Sequence, residues 1–140
     1  MRSRYCGHLS WRDPDGDGGP FYDVEIRTYG VLVTRTRRRY VTVDDVEPSF
    51  RELDEALADV DPSTMGLLVD LRAIVGRNDP EFETELAPYR RRLLSRFARA
   101  GLVVRTTIGR LQLERYLAAD GISAKVFDDP DAAMRWLDGD

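Results

Sequence analysis

Gly66-Leu67-Leu68-Val69-Asp70-Leu71 is a continuous apolar run broken by a single carboxylate near its end. Its length suits a strand, and the lack of polar alternation means that both faces are covered. Such runs belong to the middle of parallel sheets, where helices pack on the faces. Upstream, Asp61-Pro62-Ser63 ends the preceding helix, and downstream Asn78 or Asp79 before Pro80 opens the next one. A strand with a helix on either side in the chain is the unit from which an α/β fold is built.

Working outward, the rest of the chain reads in the same way. Tyr22, Val24 and Ile26 alternate with Asp23, Glu25 and Arg27, predicting a half-buried strand. A tight turn at Tyr29-Gly30 leads into Val31-Leu32-Val33-Thr34, giving an antiparallel hairpin. Thr42, with Asp45 three residues on, predicts a capped helix whose buried face is Phe50, Leu53, Leu57 and Val60. Pro48 falls in its early turns and predicts an irregular start.

After Pro80 the stripe Phe82, Leu86, Tyr89, Leu93 and Phe97 predicts a long helix, kinked or split at Pro88 and stopped by Gly101. Leu102-Val103-Val104-Arg105-Thr106 then reads as a strand, and residues 108–119 as a helix closed by Asp120-Gly121. Ala124-Lys125-Val126-Phe127 is the last strand. Asp128 or Asp129 caps a final helix that begins at Pro130 and carries Ala133, Met134, Trp136 and Leu137. The expected fold is α/β, of order ββαβαβαβα. It has a mixed, largely parallel sheet with an antiparallel N-terminal hairpin, and helices packed on the sheet.

Residues 1–20 lack periodicity and end in Asp13-Pro14-Asp15-Gly16-Asp17-Gly18-Gly19-Pro20, so they are expected to form a flexible, acidic, Gly/Pro-rich extension ahead of one domain spanning 21–140. With 140 residues, 42% hydrophobic and 33% charged, the chain has an ordinary globular composition. It has no apolar run long enough for a membrane span. A lone cysteine and no signal-peptide pattern lead to the expectation of a cytoplasmic location.

Lys125 is the only lysine among 21 basic residues, and the formal net charge is −4, which gives nonspecific nucleic-acid binding no global support. Charge is segregated along the chain. Residues 43–61 carry eight carboxylates and one arginine, whereas 89–115 carry eight arginines and one glutamate. These are either two complementary surfaces or two solvated helix faces of opposite sign.

The hairpin segment Gly30-Val31-Leu32-Val33, the strand Leu67-Leu68-Val69-Asp70-Leu71-Arg72, and Val126-Phe127-Asp128-Asp129 running into Ala132-Ala133-Met134-Arg135-Trp136-Leu137 together resemble the STAS-like superfamily. Within it they resemble the SpoIIAA-like group, related to bacterial anti-sigma-factor antagonists, over about residues 21–138. The resemblance implies a noncatalytic module that binds another protein or itself, or a small apolar ligand held between sheet and helix. Classical members carry a phosphorylatable serine at the start of the helix after the central strand. Here that stretch reads Arg72-Ala73-Ile74-Val75-Gly76-Arg77-Asn78-Asp79-Pro80 and has no hydroxyl, so docking is expected there without the phosphoserine switch.

Chemistry-bearing motifs are sparse. Asp13 to Gly18 matches the first half of a calcium loop, but Pro20 and Val24 occupy positions that should supply the second half. Cys6 and His8 are two soft ligands where structural zinc needs four. No cofactor or metal is therefore expected. Arg35-Thr36-Arg37-Arg38-Arg39-Tyr40 reads as a basic edge strand that resists edge-to-edge pairing. Asp70 ends an apolar strand, where a carboxylate more often bonds nearby backbone than acts as a catalytic acid. With no Gly-rich phosphate loop, no serine elbow and no histidine beyond His8, no enzyme activity is expected.

Two surfaces remain as candidates. The first, for a protein partner, is the arginine face of the long helix, Arg90, Arg91, Arg92 and Arg96. The second, for a ligand, is the carboxyl edge of the sheet, where open α/β sheets bind. It gathers Tyr40, Arg72, Arg77, Asn78, Thr106, Thr107 and Arg110.

Overall fold

The computed structural model describes residues 2–3, 19–73 and 80–139. A two-residue strand, β1 (Arg2–Ser3), lies antiparallel to β2 (Tyr22–Ile26), an addition that the sequence pattern does not announce. β2 forms the expected hairpin with β3 (Gly30–Arg35), closed by a bond from the Arg27 N–H to the Gly30 carbonyl, 2.8 Å. Thr42 and Asp45 make a full capping box, but around a short 3-10 turn, Val43–Asp45. The helix proper, α1 (Val46–Ala56), follows. Pro48 sits at its third position, where a missing N–H costs no helical bond.

α1 ends sooner than Asp61-Pro62-Ser63, which instead forms a 3-10 turn of its own, Pro62–Thr64, capped by Asp61. β4 (Gly66–Asp70) then enters the middle of the sheet, followed by α2 (Pro80–Arg96), β5 (Arg99–Val103), α3 (Thr107–Ala119), β6 (Lys125–Phe127) and α4 (Pro130–Leu137). The strands stand in chain order, β1-β2-β3-β4-β5-β6, with β3 to β6 parallel. Beyond β1, the order ββαβαβαβα holds.

Strand parity divides the core. Val31 and Val33 of β3, Leu67 and Val69 of β4, Leu102 of β5 and Val126 of β6 point to one face. There they meet Phe50 and Leu53 of α1, Phe82, Leu93 and Leu94 of α2, and Leu117 of α3. Leu68, Val103 and Phe127 point to the other face and meet Ala133 and Leu137 of α4.

Two glycine and proline readings change. α2 runs unbroken through Pro88, which is exposed along with Thr84, whose carbonyl would have accepted the missing bond and can turn to water instead. Gly101 does not stop a helix but lies inside β5. A Cβ there would sit 2.9 Å from the Trp136 ring of α4, so the position needs glycine for close approach. The basic run is not an edge strand either. β3 lies between β2 and β4, and the chain leaves the sheet after Arg35.

Candidate functional site

Because β3 to β6 are parallel, the loops that follow them emerge at one edge of the sheet. Arg35, the last residue of β3, shares the inward parity of Val31 and Val33 and is only 3% exposed. Its Nη1 donates to the carbonyls of Phe21 (3.2 Å) and Thr36 (3.0 Å). Its guanidinium carbon lies 4.6 Å from the Tyr40 ring centre, 5.3 Å from Phe21 and 5.7 Å from Tyr22. Aromatic faces thus supply negative potential to this buried cation, beside a carboxylate close enough to feel its charge.

Glu52 of α1 closes this cluster by accepting the N–H groups of Phe21 and Tyr22, both at 3.0 Å. Burial pushes its pKa up, against the opposing pull of those two bonds and of Arg38 and Arg35. A hydroxyl relay finishes the interior. Ser49 donates to the Val46 carbonyl (2.7 Å), so it accepts from Tyr40 (2.8 Å), whose oxygen lies 3.5 Å from the Tyr22 hydroxyl. Burial, then the neighbouring Tyr40, raises the Tyr22 pKa well above its ordinary value. Tyr40 therefore turns its hydroxyl into the core, and its ring stacks on Phe82.

Farther along the edge the charges pair off. Arg72 forks onto Asp70 through Nε (3.0 Å) and Nη2 (2.8 Å), while the Arg72 N–H bonds the same carboxylate. Burial would raise the Asp70 pKa, but the bonds and charge of Arg72 outweigh it and hold the carboxyl below its ordinary value. Thr106 caps α3 by accepting the Gly109 N–H, 2.9 Å. Thr107 and Arg110 both bond Asp128, at 3.2 and 2.8 Å, and hold its carboxyl below the ordinary range. Arg110 also reaches Glu114. Arg77 and Asn78 lie outside the described residues, as do Cys6, His8 and the Asp13–Gly18 segment.

The arginines of α2 are likewise engaged within the chain. Arg90 bridges Glu83 (2.7 Å) and Asp120 (2.8 Å), tying α2 to the end of α3. Arg91 donates to the Asp120 carbonyl. Arg92 and Arg96 both meet Asp54 of α1, so the acidic and basic segments of the sequence touch each other here. An open groove of about 850 Å³ beside the β6 end of the sheet is lined by Phe97, Ala124, Val126, Trp136, Arg110 and Glu114, among others.

Among its charged and polar groups the carboxyl edge also exposes apolar side chains. Val41, between β3 and the capping box, is 82% exposed. Ile108 in the first turn of α3 is 78% exposed and Leu111, one turn on, 50%. Sequence reading places Ile108 and Leu111 on a helix without telling their side, because α3 has apolar residues at almost every angle. It missed Arg35, although strand parity with Val31 and Val33 and the aromatic flanks Phe21, Tyr22 and Tyr40 carry that signal.

The arrangement has a solved counterpart. An uncharacterized protein of the DUF3478 family from Shewanella loihica PV-4, described as having a SpoIIAA-like fold, superposes with a TM-score of 0.60. The match covers 83% of this chain and 91% of that one, at 16% identity. This chain has a SpoIIAA-like fold. No family model and no curated protein matches it, so the likeness of this SpoIIAA-like chain is one of architecture. No helix among its described residues is long and apolar enough to cross a membrane.

Proposed function

We propose that this SpoIIAA-like chain is a noncatalytic protein-interaction module, regulatory or accessory in a bacterial cytoplasm and independent of a phosphoserine switch, that docks through the carboxyl edge of its sheet. One observation carries the reading. Along that edge Asp70, Arg72, Arg110 and Asp128 neutralise one another in pairs, while Val41, Ile108 and Leu111 stand in solvent. Acid–base chemistry favours a free titratable group whose pKa is moved toward neutrality. Asp70 and Asp128 are moved the other way, toward permanent ionisation. Exposed apolar side chains within a polar rim are the usual composition of a protein contact.

The test uses wild type and the variant V41D/I108D side by side as baits in lysate of the source cells, with native mass spectrometry of what each recovers. Wild type should return a defined complex, with another protein or a second copy, and the variant should lose it while keeping its circular dichroism. A complex indifferent to the substitutions, or a bound small molecule in place of a protein, would overturn the reading.

A further inference from the structure

The charges at the same edge say what kind of partner fits. Arg27, Arg51, Arg72, Arg90, Arg92, Arg96 and Arg110 each meet a carboxylate. Arg37 and Arg39, in the loop that carries Val41, are exposed and meet none among the described residues. Neither does Arg105, which immediately precedes the α3 cap, nor Arg115, which follows Leu111 by one helical turn. β3 and β5 are separated only by β4, so their loops emerge roughly 10 Å apart. Both chains then turn to the face that carries α1, α2 and α3.

The N-terminus of α3 emerges at this edge, and its backbone dipole adds positive potential. Against this stand Asp44, exposed in the 3-10 turn, and Glu81, exposed in the first turn of α2, whereas the Asp45 carboxylate is taken by the N–H groups of Val41 and Thr42. Asp131, in the first turn of α4, lies near enough to Arg72 to act on its charge, while the Asp129 carboxylate accepts the Asp131 N–H and the body of α4 packs on the opposite face. The exposed apolar residues are therefore bordered by unneutralised guanidinium groups on a chain whose total charge is negative.

We infer that the edge formed by Arg37, Arg39, Val41, Arg105, Ile108 and Leu111 receives an acidic partner segment that carries apolar anchor side chains. This rests on the docking reading above and adds the chemistry of the partner. The anchors fill the surface around Val41 and Ile108, and carboxylates on their flanks meet arginines whose charge nothing in the described chain takes up. Planar guanidinium groups suit that role, since each can fork onto a carboxylate.

The probe is a random glutamate–tyrosine copolymer, with a lysine–tyrosine copolymer as its counterpart, and binding is followed by fluorescence anisotropy at low and raised salt. Wild type should bind the acidic copolymer, weaken as salt rises, and ignore the basic one. Charge reversal in R37E/R39E/R105E should weaken binding at low salt by about tenfold or more. The neutral variant R37Q/R39Q/R105Q should fall between. All three positions are exposed, and unchanged thermal unfolding verifies the fold. Equal affinity of wild type and the charge-reversed variant, or a preference for the basic copolymer, overturns the inference.

Capture from lysate separates the two claims. If V41D/I108D loses the cellular complex and R37E/R39E/R105E keeps it, docking at this edge stands and the acidic partner falls. If neither substitution set alters the complex, both fall.

Discussion

Arg35 brings a full positive charge into the core and holds it against three rings and two carbonyls. Replacing it with leucine would fill much of the space but remove the stacking and the donors to the Phe21 and Thr36 carbonyls. The expected loss is about 2–3 kcal/mol in urea denaturation. Lysine should fare little better, because an ammonium cannot lie flat among the rings.

Two carboxylates pull the acid limb of stability in opposite directions. The Glu52 pKa is raised in the folded state, so the folded chain takes up its proton first. Wild type should therefore gain stability relative to E52Q as pH falls from neutral through that raised value to the ordinary 4.5. The Asp70 pKa is lowered, so its contribution is present above the ordinary 3.8 and is lost as pH falls through the folded value. Its partner Arg72 is 44% exposed, which screens the pair to below about 1 kcal/mol. Denaturation midpoints of wild type, E52Q and D70N across acid pH separate the two slopes.

At the scale of elements, the close seat of α4 on β5 depends on Gly101. An added methyl meets Trp136 at 2.9 and 3.0 Å, and G101A should cost about 1–3 kcal/mol through overpacking. The double variant G101A/W136L should recover part of this in the same thermal scan, whereas an undiminished loss would place the strain elsewhere. This glycine also shows where sequence reasoning reaches its limit. The elements were legible because their signals are local: alternation at Tyr22–Ile26, a capping box at Thr42 and Asp45, and Pro130 behind a capping Asp129. Gly101 carries the same local signal whether it ends a helix or admits an indole from a helix more than thirty residues away. The candidate site was less legible for a related reason. Which arginines are neutralised depends on carboxylates brought close by the fold, such as Asp54 beside Arg92 and Arg96. Sequence spacing does not contain that distance.

For the molecule as a whole, the segregation of charge along the chain becomes contact between α1 and α2. Those pairs are exposed, so D54N should lower stability by less than about 1 kcal/mol, and the difference should shrink further in salt. The two faces of the sheet are unequally covered: three helices pack on one, and α4 is the only described helix on the other. Arg27 grips Asp138 at 2.9 Å, and Arg99 donates to the carbonyls of Trp136 and Leu137, so a helix of eight residues is fastened at its far end. A chain ending at Asp128 should expose Leu68, Val103 and Phe127, bind a hydrophobic dye and sediment as aggregates.

The strict succession of strands from β1 to β6 has a further consequence during synthesis. Each strand pairs with one already made, so the sheet can grow by addition as the chain leaves the ribosome. α4 follows β6 in the chain, so the face of Leu68, Val103 and Phe127 is covered only after the strands that form it have been made. For that interval the nascent protein presents a formed sheet with one oily face bare, the kind of surface that chaperones hold.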